Sequence, residues 1–356
     1  MNHIPANPHI PSKRSGRTIV LAWIAACLLT GIARGQDPSR EDVRQAADRG
    51  LTWLASQQSR QGAWKADEGR YPTAMTAMAG MAFLAEGSTT SHGKYSVQVR
   101  SSVDFLQGQC QSSGLIGDPE QDDRYTYGHG YSMLFLSQVL GEEEDLTRRN
   151  QLISILTRAV QFTGEAQTTA GGWGYVSAAE GRNSDEGSTT ITQVQGLRAC
   201  RNAGIPTPRI VIDRAVAYIK QCSVNGGAGG VQYSTNGGDG RPAISAAAIA
   251  CLFNAGEYDD DYVPQLLDYC NRTLDDLSSQ RMGDHWHYAH YYYAQVRYRE
   301  GGETWNSYRD RIYDRLLNEA GSDGCWNQGS VGPVFTTAVN LSILQLENGF
   351  LPIYQR

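Results

Sequence analysis

Positive charge is the first thing this chain lacks. Its 31 Lys and Arg are outnumbered by 37 Asp and Glu, for a formal net charge of −6. No excess of basic residues is available to track a phosphate backbone, which excludes nucleic acid as a partner. Long apolar runs are missing too: the longest, Thr18–Ala33, is shorter than the ~18–20 residues of a membrane-spanning helix and runs straight into polar sequence. Seven cysteines in 356 residues are too few for a disulfide framework in a domain of this size. Nowhere is there a Gly-x-Ser-x-Gly nucleophile elbow, a His-Glu-x-x-His zinc helix or a glycine-rich phosphate loop, and the corresponding hydrolase and nucleotide chemistries go with them. With 19% charged residues and a mean hydropathy of −0.44, the remainder has the composition of a water-soluble fold.

The N-terminus belongs to another class of segment. Lys13, Arg14 and Arg17 precede the apolar run, and Ala33-Arg34-Gly35 ends it with small residues at both cleavage-determining positions. Residues 1–35 read as a secretory signal peptide, leaving 36–356 as the mature protein in the periplasm or outside the cell. Losing Lys13, Arg14, Arg17 and Arg34 takes the net charge from −6 to −10. Ile24-Ala25-Ala26-Cys27 offers a second reading, a lipid anchor on Cys27, but apolar sequence continues beyond it where a polar tether should begin. Six cysteines then remain (Cys110, Cys200, Cys222, Cys251, Cys270 and Cys325). One or two bridges are compatible with that number, and no pairing can be read from it.

What the chain has in abundance is a repeat. Six times an amphipathic segment meets a Gly-aromatic or Gly-apolar turn and then a second segment closed by glycine. The turns are Gly62-Ala63-Trp64, Gly114-Leu115-Ile116, Gly172-Trp173-Gly174-Tyr175, Gly230-Val231-Gln232-Tyr233, Gly283-Asp284-His285-Trp286 and Gly324-Cys325-Trp326. The closing glycines are Gly87, Gly141, Gly204, Gly256, Gly301 and Gly349. Spacings of roughly 50–60 residues indicate stacked helical hairpins forming one domain. Val43, Ala46, Ala47, Leu51 and Leu54 draw the stripe of a helix buried on one side. The segment from Thr73 to Leu84 is small or apolar nearly all round, so it is buried on several sides. Amphipathic and small-residue helices alternate throughout, which predicts an all-α fold of two concentric layers around a central cavity.

That pattern resembles the α/α toroid of squalene–hopene cyclases and protein prenyltransferase β subunits. More narrowly, Gly171-Gly172-Trp173-Gly174-Tyr175 with Asp185-Glu186-Gly187-Ser188-Thr189-Thr190 is similar to a secreted bacterial group carrying prenyltransferase and squalene oxidase repeats. Trp286-His287-Tyr288, Gly301-Gly302-Glu303-Thr304-Trp305-Asn306 and Leu351-Pro352-Ile353-Tyr354 fit the same group. The resemblance spans the mature chain and implies an α/α toroid of about six hairpins, with functional groups just after each turn.

The catalytic signatures of those relatives are incomplete here. Cyclases protonate a polyene from Asp-x-Asp-Asp; the nearest run, Glu257-Tyr258-Asp259-Asp260, follows a closing glycine and reads as a solvated acidic turn. Prenyltransferases hold zinc with Asp, Cys and His. Asp185 and His287 match in position, but Gly187 and Ser188 stand where the thiolate belongs, and Cys325 falls inside a turn. Zinc needs three or four placed ligands, so neither metal nor cofactor is expected. The thioester run of complement-like toroids is also missing at Cys110-Gln111-Ser112-Ser113.

Site candidates are therefore positional. If the inner-helix starts converge on one mouth, Asp185, Glu186 and His287 are the catalytic candidates. Tyr127, His129, Trp173, His290 and Tyr291 are the ligand-binding candidates. Two function classes stay open. One is a module holding a small apolar, glycan or peptide ligand in the cavity. The other is a divergent enzyme, terpenoid-cyclase-like or polysaccharide-processing, built on paired carboxylates.

Overall fold

Among the described residues, twelve α-helices alternate between two kinds of surface. The computed structural model describes residues 38–181, 183–256, 261–277 and 283–354. The chain divides into Met1–Glu41 and Asp42–Arg356. Of the first unit only residues 38–41, which open the first helix, are described; the segment 1–35 read as a signal peptide, with its Cys27, and the acidic run 257–260 lie outside the described residues. The odd helices are α1 (Pro38–Ser56), α3 (Ser96–Gly108), α5 (Leu146–Glu165), α7 (Arg209–Gln221), α9 (Tyr262–Leu274) and α11 (Gly302–Glu319). The even ones are α2 (Pro72–Glu86), α4 (Tyr125–Glu142), α6 (Gly187–Asn202), α8 (Pro242–Ala255), α10 (Asp284–Glu300) and α12 (Pro333–Leu344).

Burial follows the sequence pattern closely. On α7 only Val211, Ile212, Ala215, Val216, Tyr218 and Ile219 are buried, the one-sided stripe of an outer helix. On α2 every residue from Pro72 to Ala85 is buried, and α12 is buried from Val334 to Leu344. The even helices form a closed inner ring: α2 packs on α4, α4 on α6, α6 on α8, α8 on α10, α10 on α12, and α12 back on α2. The protein is an α/α toroid of six hairpins. Small residues set the inner spacing; a Cβ on Gly196 of α6 would stand 2.8 Å from the Gly130 carbonyl of α4.

Five of the six hairpins are locked at their turns by bonds from a recurring set. The indole N–H of Trp64 donates to Leu54 O (2.7 Å), that of Trp173 to Thr163 O (2.8 Å) and that of Trp326 to Leu316 O (2.9 Å). The turn's own backbone N–H reaches a hydroxyl on the following inner helix. Trp64 N donates to Thr76 (3.0 Å), Trp173 N to Thr190 (3.1 Å), Val231 N to Ser245 (2.8 Å) and Trp326 N to Thr337 (3.1 Å). Neighbouring units are then tied sideways. Arg158, Arg214 and Arg272, each on the next outer helix, donate to the turn carbonyls of Gln111, Thr168 and Ala228.

The turn glycine answers to two demands at once. Gly171 has φ +101°, and a Cβ there would stand 2.5 Å from Arg214 O on α7. Gly324 has φ +93°, and its Cβ would meet the Arg49 backbone of α1 at 2.6 Å. The last turn thus presses on the first outer helix, and the ring closes. Two glycine assignments need correcting. Gly283 is extended (φ −167°) and caps α10 directly, and a Cβ on it would meet nothing within 4 Å. His285 and Trp286 are therefore the first helical turn and not a connecting loop. Gly141 lies inside α4, which runs on to Glu142 and ends on an extended Glu143.

Gly324→Ala and Gly181→Ala separate the two demands. Gly181 has a similar φ (+83°), and a Cβ there would meet nothing within 4 Å, so alanine costs about 1–2 kcal/mol for its backbone alone. Gly324→Ala adds the clash with α1, and chemical denaturation is expected to show a loss at least about 2 kcal/mol larger. Equal losses would remove the closure argument.

Candidate functional site

The N-terminal ends of all six inner helices surround a cavity of about 990 Å³. Its wall is aromatic: Tyr71, Tyr127, Tyr131, Trp286, Tyr288 and Phe335 line it, with Met75 and Met78 between them. No Asp or Glu among the described residues does so. The far end is stopped by the chain's own C-terminus. Leu351, Ile353 and Tyr354 are buried, with the Ile353 N–H on Gln138 Oε1 of α4 (3.4 Å) and the Tyr354 hydroxyl on Tyr291 of α10 (2.5 Å).

Two arginines stand at its rim. Arg124 lies over the Tyr175 ring at 4.5 Å and Arg241 over the Tyr233 ring at 4.7 Å. The two phenol hydroxyls are hydrogen-bonded to each other. Arg124 and Arg241 occupy the N-cap positions of α4 and α8, and neither side chain caps its helix. Tyr71, at the same position of α2, is held at φ 53°, ψ 46° with its ring in the wall. A non-glycine residue in that region costs about 1–3 kcal/mol, and strain of this kind gathers at functional sites. The phenols are donors rather than bases. Burial first, then the nearby Glu186 charge, holds Tyr127 well above its ordinary pKa; burial and the Tyr175 hydrogen bond raise Tyr233.

Of the candidates named from sequence, Tyr127 lines the cavity. Glu186 sits behind it as the N-cap of α6. Its carboxylate accepts from Ser188 N (3.0 Å), Ser188 Oγ (2.6 Å), Thr189 N (2.5 Å) and the Tyr127 hydroxyl (3.1 Å). Asp185 turns the other way and accepts from Thr168 (3.2 Å) in the turn before it. His287 is buried between inner helices with Nδ1 at 2.9 Å from Asn340 Oδ1 of α12. His290 faces the outer layer, with Nδ1 at 2.9 Å from the Tyr308 hydroxyl of α11. Burial pushes its pKa down to about 3. Tyr291 meets the C-terminal tail, and Trp173 is a turn lock. The structure therefore does not bring Asp185, Glu186 and His287 together on the cavity.

His129 has a specific structural position. Ile116 N donates to its Nδ1 at 3.0 Å, as the other turns donate to Thr76, Thr190, Ser245 and Thr337. With Nδ1 an acceptor the proton sits on Nε2, which lies 3.0 Å from the Thr163 hydroxyl; that hydroxyl donates onward to Ala159 O (2.9 Å). His129 replaces a hydroxyl in the repeated frame.

Sequence reasoning passed over the rim. Arg124 and Arg241 were legible as basic residues at inner-helix starts, where a cation opposes the helix dipole. Tyr175 and Tyr233 each stand two residues after the locking position of their turn. No spacing rule connects these four residues, because they meet only when adjacent hairpins pack. Among the described residues no group of three His, Cys, Asp or Glu side chains is placed to hold a metal ion. All six described cysteines are free thiols.

No protein-family model matches the chain, and no curated protein matches it by sequence. Solved structures do. The α-1,6-mannanase GH76A of Salegentibacter sp., an inactive variant in complex with α-1,6-mannotriose, superposes with TM-score 0.62 at 9% identity. The match covers 85% of this chain and 97% of that one. Hormoconis resinae glucoamylase gives 0.54 at 12% identity, over 89% of this chain and 74% of that one. The type II terpene cyclase MstE from Scytonema gives 0.37 at 12% identity, over 88% and 99%. At these identities the first two matches establish the fold alone.

Burial gives His129 a measurable pH signature. An unfolded histidine protonates near pH 6.5, whereas burial holds His129 down at about 3. Between those values the unfolded chain binds the extra proton, so the stability that His129 supports is complete above pH 6.5 and is lost as pH falls toward 3. At pH 8, His129→Ala orphans the Ile116 N–H and is expected to cost about 1 kcal/mol more than His129→Thr, which keeps an acceptor. Both variants should lose this share of the acid sensitivity in urea titrations between pH 4 and 8; an unchanged acid limb would contradict the assignment.

Proposed function

We propose that this is an exported binding protein that takes a small organic ligand into the aromatic well at the inner-helix N-termini. Residues 1–35 are the export signal on this reading, and 36–356 the working toroid. The observation that carries it is the wall itself: a cavity of about 990 Å³, near the top of the range of small-ligand sites. It is built from rings and thioethers, with phenol hydroxyls as orienting donors. Tyr127, Tyr131 and Trp286 are the contacts that a flat or apolar ligand body would stack on.

Two features favour binding over catalysis by the carboxylates. Glu186 spends both oxygens on the α6 cap and Tyr127. Asp185 faces the α5–α6 turn. A glycan is a reasonable occupant alongside an apolar molecule, since the mannanase of this fold was solved with mannotriose. Among the described residues no helix is long and apolar enough to cross a membrane.

Native mass spectrometry of the protein purified from its exported fraction tests this directly. The wild type is expected to retain an organic ligand. Met78→Trp, which fills the well, should lower retention at least tenfold with the fold kept, as judged by far-UV circular dichroism. Asp185→Asn should retain ligand within about twofold of wild type. A Met78→Trp protein that keeps its ligand, or an Asp185→Asn protein that loses it, overturns the proposal.

A further inference from the structure

We infer that the ligand of this well carries an oxyanion, a carboxylate, sulfate or phosphate, gripped at the rim by Arg124 and Arg241 while its body lies against the aromatic wall. This rests on the well being a binding site and names the chemistry of what it holds.

The inner-helix starts supply the first argument. An N-cap normally carries a side chain that accepts from the free backbone N–H groups, and an anion there also suits the positive end of the helix. Glu186 does both for α6. The two helices on either side of α6 instead begin on Arg124 and Arg241, with no side-chain cap bond. A cation in that place is locally unfavourable twice over. Where sequence breaks a local rule without full compensation inside the protein, the compensation is sought in a ligand.

Compensation inside the protein is partial: the Asp123 and Asp122 charges act on Arg124 through space, and neither pairs with its guanidinium. Neither arginine forms an ion pair with a described residue, and no described residue accepts a hydrogen bond from either guanidinium. Asp122 and Asp123 precede Arg124, yet Asp122 accepts only the Arg124 backbone N–H (3.1 Å), and its own burial pushes its carboxyl up to about 6. Arg70, by contrast, near Tyr71, is paired with Glu68 at 3.3 Å.

The geometry then links the two charges through their tyrosines. Each guanidinium lies over a tyrosine ring, at 4.5 and 4.7 Å, and the Tyr175–Tyr233 hydroxyl contact joins the two stacks across the start of α6. A stacked guanidinium keeps its edge N–H groups for an acceptor, and its fork matches the paired oxygens of a carboxylate, sulfate or phosphate. Arg124, Tyr175, Tyr233 and Arg241 all belong to the cavity lining, which contains no described carboxylate to repel an anion.

Calorimetric titration with matched probes tests the inference: decanoate, decyl phosphate and the neutral decan-1-ol, on the wild type and on the Arg124→Gln/Arg241→Gln double variant. At least one anion is expected to bind the wild type tenfold or more tightly than the alcohol, and the tighter of the two identifies the oxyanion. Raising NaCl from 50 to 500 mM should shrink that advantage. The double variant should bind all three probes alike, with the alcohol's affinity unchanged and a melting temperature equal to or above wild type, because two cations leave helix N-termini. Equal affinity for all three probes on the wild type, or an anion advantage that survives in the double variant, overturns the anion assignment and leaves the well as a neutral-ligand site. Failure of every probe to bind overturns both readings.

Discussion

Everything in this toroid depends on a contact with no room for a side chain. At each locking turn a glycine with positive φ lies against the next outer helix; the last such turn, at Gly324, lies against α1. A linear stack of hairpins would leave two apolar faces open, one on α2 and one on α12. Closure buries both and gives the six inner helices a common axis, so that their N-termini gather at one end. The Trp64, Trp173 and Trp326 indoles and the turn-to-helix hydroxyl bonds make that geometry repeat from unit to unit. The C-terminal residues Leu351–Tyr354 then block the opposite end.

The frame and the rim obey different rules. In the frame each polar group answers a specific need: Thr76, Thr190, Ser245 and Thr337 accept a turn N–H, and His129 does so with a ring nitrogen. Glu186, the most conspicuous buried carboxylate, is a helix cap held by Ser188, Thr189 and Tyr127. At the rim, local preferences are set aside. Tyr71 adopts a left-handed backbone, and two helices begin on arginine. Departures of this kind persist only where the surrounding structure enforces them, and here they are confined to the end of the ring that opens to solvent.

Legibility tracked the range of the interaction. The helices, their pairing and their alternation of surface follow from three- and four-residue periodicities and from turn glycines, which are local. The fifth turn was misread because Gly283 precedes aromatic residues as the turn glycines do; its neighbours alone do not reveal that it is extended and uncrowded. Asp185 and His287 stood out by position after a turn, but position along the chain does not say which way a side chain points. Asp185 faces the α5–α6 turn and His287 a neighbouring inner helix. The rim escaped notice for the converse reason: Arg124, Tyr175, Tyr233 and Arg241 come from three hairpins and share no spacing.

The sequence alone determined that this chain is an all-α toroid of six hairpins, and which residues its interior could use. Helical period, glycine turns and the contrast between small and amphipathic helices are properties of neighbours along the chain, and they require no partner to be read. Only the closed ring decided which polar residues became structure and which faced the well. That choice depends on the rotation of each inner helix about its axis, set by glycine contacts and hydroxyl bonds between units that lie far apart in sequence, where no local pattern reaches.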